Sequence, residues 1–369
     1  MNSTNNNVMT STKTMPVWAE AITRPAVWIS LAAVIGAMLM GLVLIASLGV
    51  PVKDAVEAFA EGAWGSPYAC AASINRSLVF ALVGLGFVLA QRANLTNVGG
   101  EGQIAIGGIA ATAVSLHGGV GELPHGLAFI LPALAACIAG GLWGGLAGVL
   151  KAKAGTNEVI STLLLSFIAI WVVYGCVQSE ALLRQPMSNA TTLPESLEIP
   201  ELTKLPLLTG DASVPLHIGL PVALGLAFIV AVVLNHTVLG LRLRAVGLNP
   251  QAAKRAGIAI STSIIGTLVA AGALGGLAGA VMLQGEQYSL KAGFSSGYGF
   301  DGLVVGLLAR GSVTGVIAGS LLFGFLRSGG INMEMVANVP TALVVVIQGI
   351  IIVTLAGAAR RMDRKERAQ

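Results

Sequence analysis

The chain has 369 residues, of which 55% are hydrophobic and only 10% are charged, and its mean hydropathy is +0.82 with a formal net charge of +4. In soluble proteins about a quarter of the residues are charged, so this composition excludes an ordinary water-soluble protein. Because the apolar residues are grouped in runs of the ~20 residues that a helix needs to cross a bilayer, the chain is predicted to be an integral membrane protein.

The first half of the chain predicts a polar tail followed by five membrane spans. Residues 1–26 are polar and show no cleavage-site pattern before the first apolar run, so they are predicted to be a tail that precedes an uncleaved span. Residues 49–76 are predicted to be a polar connection. The five predicted spans are 27–48, about 77–91, about 102–116, about 127–150 and about 159–177.

The second half begins with the longest connection, about 178–216, which holds five acidic and two basic residues and is predicted to be extracytoplasmic. The remaining predicted segments are about 217–234, about 263–283, short pieces near 302–309 and 313–326, and a final span near 341–358. These segments predict an all-α integral membrane protein with about ten transmembrane helices. The membrane domain is predicted over 27–359, with a basic tail at 360–369.

The distribution of lysine and arginine predicts the orientation. If the N-terminus lies inside, the cytoplasmic segments hold 15 of these residues and the outer segments hold 6, in agreement with the rule that basic loops stay cytoplasmic. Both termini are therefore predicted to be cytoplasmic. The six outer residues are Lys53, Arg76, Arg184, Lys204, Lys291 and Arg327.

Two short segments look like mirror copies of each other. Glu101-Gly102 opens a small-residue span from the inside, and Asp301-Gly302 opens another from the outside. If these are the third and eighth spans, they are five apart and run in opposite directions, which predicts two inverted five-helix repeats. The alternative is a chance resemblance between glycine-rich membrane segments.

A cytoplasmic loop is predicted at about 235–262, and it contains a short basic helix. Asn249-Pro250 is a helix-start signal, because asparagine caps helices and proline suits the first helical position. Gly257 is predicted to end that helix. The alternative is that the basic residues of this loop only fix the topology.

Four segments resemble, in the same order, the permease subunits of ATP-binding-cassette importers of the branched-chain amino acid, ribose and nucleoside branch. Residues 97–103 resemble the N-[IV]-G-x-E-G-Q segment, and residues 155–162 resemble G-x-N-E-V-I-S-T. Residues 240–258 resemble the coupling loop of that family, and residues 297–302 match G-[YW]-G-F-[DT]-G. The resemblance is closest to permeases of purine-nucleoside or simple-sugar importers.

The resemblance implies a division of labour in a bacterial inner membrane. A separate cytoplasmic ATPase would use ATP, an extracytoplasmic substrate-binding protein would deliver the solute, and this chain would form the pathway with a second, different permease subunit. The chain lacks a G-x-x-x-x-G-K-[ST] phosphate loop, so it is expected to bind no cofactor and to be a transport subunit rather than an enzyme. Its other expected contacts are with membrane lipid and not with nucleic acid.

The motifs also give two sets of candidate functional residues. A carboxylate at membrane depth is costly and usually faces a cavity or a partner, so Glu101 is predicted to shape the pathway; the alternative is that it caps a helix N-terminus. For Asn157 and Glu158, capping of a cytoplasmic helix competes with contact to the ATPase. The candidate coupling residues are Arg242, Arg244, Gly247, Asn249, Pro250, Ala252, Ala253, Lys254, Arg255 and Gly257, and the candidate pathway residues are Asn97, Gly99, Glu101, Gln103, Asn157, Glu158, Phe300 and Asp301.

The leading functional hypothesis is a permease subunit that imports a nucleoside or a related small solute. The alternatives are a permease for simple sugars or branched-chain amino acids and, in a different class, an ion-coupled secondary transporter. An ion-coupled transporter would usually carry more ionisable residues in its spans. A membrane enzyme is disfavoured, because neither a nucleophile–base set nor a metal-ligand cluster is visible.

Overall fold

The computed structural model describes residues 35–36, 39–47, 49–186, 193–340, 343, 345–347, 349–350 and 353–354. Two compact units are present, one made of Met1–Gly49 with Ala342–Gln369 and the other of Val50–Thr341. In the first unit the described residues 39–47 are helical. The predicted tails, 1–26 and 360–369, and parts of the predicted spans 27–48 and 341–358 lie outside the described residues.

The described part of the second unit is helical, and its two β-bridges are isolated. Its α-helices are α1 (Val52–Trp64), α2 (Pro67–Arg92), α3 (Gly100–His117), α4 (His125–Ala154), α5 (Glu158–Gln178), α6 (Gly219–His236), α7 (Val238–Leu248), α8 (Pro250–Arg255), α9 (Ile260–Met282), α10 (Tyr298–Leu308) and α11 (Val313–Ala337). Helix α9 continues as a π-helical stretch, Leu283–Gln287. Among the described residues, six helices are long and apolar enough to cross a membrane, namely α2, α4, α5, α6, α9 and α11. The prediction of an all-helical, multi-pass membrane protein is confirmed.

The prediction of a polar connection over 49–76 is wrong, because α1 and the start of α2 occupy it. Helix α1 buries only alanines, Ala55, Ala58 and Ala63, so its inward face gives no long apolar run in the sequence. Ser66 caps α2, since its Oγ accepts a hydrogen bond from the N–H of Ala69 at 3.0 Å, and Pro67 takes the first helical position. This Ser-Pro pair was the signal for the earlier helix start.

Two arginines assigned to outer connections lie instead inside long helices. Arg76 is in the first half of α2, and Arg327 is in α11, which extends to Ala337 and not to residue 326. The remaining outer connections therefore carry fewer basic residues than the sequence analysis assigned to them. This change increases the basic excess of the predicted cytoplasmic side.

Helices α4 and α9 pack closely along glycines. A Cβ added to Gly272 would collide with the carbonyl oxygen of Gly140, and one added to Gly276 would collide with that of Ala136. In lipid, helices gain little from hydrophobic contact with each other, so such close backbone approach provides the van der Waals packing. This pair has the most extensive contact between helices in the described part of the second unit.

The described part of the long connection folds over the end of α9. Gln284 Nε2 donates to the carbonyl oxygens of Thr203 at 2.6 Å and Phe129 at 3.0 Å, and the Gln284 carbonyl accepts from the N–H of Leu205 at 3.0 Å. The Ser196 N–H donates to the Leu290 carbonyl at 2.8 Å. These bonds hold residues 193–218 against the membrane domain.

His217 is buried beneath this connection. We therefore predict that the packing of the connection against the membrane domain is sensitive to acid. His217 Nδ1 accepts from the Gly219 N–H at 3.1 Å, and burial lowers its pKa from 6.5 to about 4. When the connection opens, His217 becomes exposed and regains its ordinary pKa, so the open state binds more protons between pH 6.5 and 4. The packing of the connection is therefore fully stable above pH 6.5 and becomes less stable as the pH falls. We expect the free energy of opening to fall by about 2 kcal/mol from pH 7 to pH 5.

Hydrogen exchange of residues 205–219 in the detergent-solubilised protein measures this effect. His217→Gln keeps a polar side chain of similar size but cannot titrate, and it is expected to lose most of the acid dependence. Equal pH dependence in the wild type and in this variant would contradict the prediction.

Candidate functional site

The predicted basic helix is present as α8, and it follows α7 between the membrane helices α6 and α9. Asn249 caps α8, since its Oδ1 accepts from the Ala252 N–H at 3.0 Å, and Pro250 is the first helical residue. After α8, the Gly257 N–H donates to the Lys254 carbonyl and the Ile258 N–H donates to the Ala253 carbonyl, both at 3.0 Å. With Gly257 at φ +80°, this is a Schellman ending.

Three contacts anchor this segment to the membrane domain. Val246 and Ala253 are buried, whereas most of their neighbours in 241–257 are exposed. A Cβ on Gly247 would lie 2.6 Å from the Arg92 carbonyl oxygen, so only glycine allows α7 to approach the end of α2 this closely. Leu243 packs against a cluster formed by Ala90, Ala93, Leu95, Ala147 and Leu268. A force on α7 and α8 would therefore reach α2, α4 and α9.

The solvent-exposed face of the α7–α8 segment combines basic and apolar side chains. Arg242, Arg244, Lys254 and Arg255 are exposed, and Leu248 is 78% exposed. A surface with this chemistry suits a partner that offers carboxylates around an apolar pocket.

Residues 97–103 form a buried polar junction at the start of α3. The side-chain amides of Asn97 and Gln103 are paired through both N–H···O contacts at 3.2 Å, and the Gly99 N–H donates to Asn97 Oδ1 at 2.9 Å. Helix α5 supplies the other acceptors. Thr162 Oγ1 accepts from Val98 and Ser166 Oγ accepts from Gly102. Side chains thus satisfy the backbone amides of Val98, Gly99 and Gly102, as a membrane interior requires.

Glu101 connects the starts of α3 and α10. It is 3% exposed, and its Oε1 and Oε2 accept hydrogen bonds from the N–H groups of Gly297 at 2.8 Å and Gly299 at 2.7 Å. A negative carboxylate is favoured at a helix N-terminus. Glu101 therefore caps α10 rather than its own helix, while its predicted pathway role stays a prediction.

The other candidate residues occupy two places. Asn157 caps α5 by accepting from the Val159 N–H at 2.9 Å, and Glu158 pairs with Lys151 Nζ at 2.8 Å across the α4–α5 turn. Phe300 and Asp301 lie half-buried in the first turn of α10. Capping by Asn157 is confirmed, while a pathway role for these residues stays a prediction.

A charged group that no sequence pattern indicated joins α2, the π-helical stretch, α10 and α11. Arg76 Nη2 contacts Glu286 Oε1 at 2.6 Å, and Arg76 Nη1 donates to Ser328 Oγ at 2.7 Å. The Arg327 guanidinium lies 5.0 Å from the ring centroid of Tyr298. Recognition of Arg76 and Arg327 as charges within helices would have indicated this group, but both residues were assigned to connections. The π-helical stretch gave no recognisable pattern.

Known proteins similar to this chain are transport permeases. The family model described as "Branched-chain amino acid transport system / permease component" matches residues 70–356. The glucose ABC transporter permease protein TsgB13 of Haloferax volcanii is 33% identical, with 93% of this chain and 89% of the relative aligned.

Two further relatives are similar over almost the same length. The guanosine ABC transporter permease protein NupP of Bacillus subtilis is 32% identical, with 89% of this chain and 93% of the relative aligned. The nucleoside ABC transporter permease protein NupB of Lactococcus lactis is 29% identical, with 89% and 90% aligned. No solved structure matches the chain.

Proposed function

The chain belongs to the family of branched-chain amino acid transport system permease components and is a permease subunit of an ATP-binding-cassette importer, and on that premise we propose that it translocates a nucleoside. The observation that carries the proposal is the similarity to the guanosine permease NupP and the nucleoside permease NupB along about nine tenths of the chain. A simple sugar is the second candidate, because the glucose permease TsgB13 is similar over the same length.

The segment of α7 and α8 is proposed to receive the ATPase. Its exposed cations, its glycine-terminated helix and its contacts with α2 support this role. ATP-driven closure of the ATPase would push on α8 and tilt the attached helices between inward-open and outward-open states. ATP would be used by that partner, while an extracytoplasmic binding protein would deliver the solute.

The membrane domain is proposed to have ten spans arranged as two inverted five-helix repeats in the inner membrane, with both termini cytoplasmic. The six candidate spans, helices α3 and α10, and the spans predicted from sequence at 27–48 and 341–358 would together give ten. The meeting of the α3 and α10 N-termini at Glu101 supports the inversion, because equivalent helices of inverted repeats approach a shared axis from opposite sides. A second, different permease subunit would complete the pathway.

Purification of the tagged chain from its host in mild detergent tests these proposals. We expect recovery of an ATPase and a second permease, because a cytoplasmic motor must bind α7 and α8. Proteoliposomes with the binding protein are expected to take up guanosine in an ATP-dependent manner and not glucose. Uptake of glucose alone would favour the sugar permease, and a homo-oligomer without an ATPase would contradict the proposed assembly.

A further inference from the structure

Among the described residues, a group of charged and aromatic side chains links several helices and includes no residue of α7 or α8. We call Arg76, Glu286, Tyr298 and Arg327 the arginine–glutamate cluster. Arg76 bridges Glu286 and Ser328, and Arg327 Nη2 donates to the Ser296 carbonyl at 3.0 Å while its guanidinium lies over Tyr298. The cluster thus draws on α2, the π-helical stretch after α9, the start of α10 and α11.

These charges lie well inside their helices, where a position facing lipid would be costly. Arg76 lies nine residues after Pro67 in α2 and Arg327 ten residues before Ala337 in α11, which is about 13 Å and about 15 Å from those helix ends. Charged side chains at such positions face a partner or a water-filled cavity. The side chains of Arg76 and Glu286 are 17% and 31% exposed, so the ion pair is mostly buried but remains partly accessible.

The cluster has features of a binding surface in addition to those of a structural contact between helices. Nε of Arg76 and Nε of Arg327 are buried and have no hydrogen-bond partner among the described residues. Tyr298 is stacked on Phe80 with 4.9 Å between ring centroids, which leaves Arg327 against a fixed aromatic face. Glu286 is carried by a π-helical stretch, a geometry that is frequent at functional sites.

We propose that the arginine–glutamate cluster contacts the solute in the pathway and recognises neighbouring hydroxyl groups of a ribose ring. The Glu286 carboxylate would accept hydrogen bonds from two hydroxyls, and Arg76 would donate to a hydroxyl oxygen from the same side. A solute hydroxyl would share the ion pair without breaking it, so binding stays weak enough for release. This inference rests on the proposed nucleoside import.

Relative uptake of two solutes separates recognition from a purely structural role. Proteoliposomes with the same binding protein are supplied with guanosine or 2′-deoxyguanosine, at saturating concentration. In Glu286→Gln we expect guanosine uptake to fall at least about tenfold and 2′-deoxyguanosine uptake to fall less than about threefold, because the latter offers one hydroxyl fewer. Arg76→Lys keeps the charge and is expected to show the same selective loss.

Glu198→Gln is the matched control, because Glu198 also forms an ion pair, at 2.7 Å with Lys204, but on the exposed outer connection. Its uptake ratio is expected to equal that of the wild type. A Glu286→Gln complex that assembles with an unchanged uptake ratio would overturn the inference and leave a structural ion pair. If the wild type imports neither nucleoside, the nucleoside proposal fails, and glucose with 2-deoxyglucose then tests the cluster in the same way.

Discussion

Replacement of Gly257 by valine is expected to reduce solute uptake by at least about tenfold while the chain remains in the membrane and assembled. Gly257 has φ +80°, in the left-handed region where a side chain costs about 1–2 kcal/mol, and a β-branched residue is least suited to it. The Schellman ending of α8 would be lost, and α8 would no longer meet α9 at the same angle. An increase of about 1.4 kcal/mol in the activation free energy of the coupled transport step is sufficient for a tenfold loss of rate.

The expected signature is uncoupling, in which the purified complex hydrolyses ATP without a matching uptake of solute. Gly210→Val is the matched control, because Gly210 has φ +67° and open space around its Cβ position but lies in the long connection between α5 and α6. This control is expected to transport normally. If Gly257→Val transports at the wild-type rate, α8 does not carry the coupling.

Sequence patterns predicted the helical class and the short basic helix α8 because both depend on neighbours along the chain. Long apolar runs define a span, and Asn249-Pro250 with Gly257 defines the ends of α8 within nine residues. These signals are local capping and solvation effects, so no knowledge of distant contacts is needed. The same holds for the cap at Asn157.

The charged cluster could not be predicted in the same way, and Arg76 concealed the local Ser66-Pro67 signal for the start of α2. Arg76 interrupts an apolar run and therefore suggests a helix end. The structure tolerates this charge because Glu286, over two hundred residues later in the chain, pairs with it. Glu101 is a similar case, since its partners are backbone N–H groups of another helix. Tertiary contacts decide where such charges are tolerated, and a single sequence does not contain them.

Replacement of Gly299 by alanine is expected to prevent the starts of α3 and α10 from meeting. A Cβ at this position would collide with the backbone N and Cα of Glu101, and neither atom can be displaced by a side-chain rotation. Separation of the helices would also break the bonds of the Glu101 carboxylate to Gly297 and Gly299. Each charge-assisted bond contributes about 1.5–3 kcal/mol, and overpacking adds about 1–3 kcal/mol, so a loss of at least about 3 kcal/mol is expected.

The yield of intact complex in detergent and its thermal midpoint measure this loss. Gly175→Ala is the matched control, since Gly175 lies in α5 with no atom within 4 Å of its Cβ position, and it is expected to leave both values unchanged. Glu101→Gln keeps the shape of the side chain but replaces one acceptor oxygen with a donor group, so an intermediate loss is expected. Normal stability of Gly299→Ala would mean that the two helix ends are not in contact and would remove the main support for the inverted repeats. A graded loss, largest for Gly299→Ala, is what a carboxylate between two helix N-termini requires.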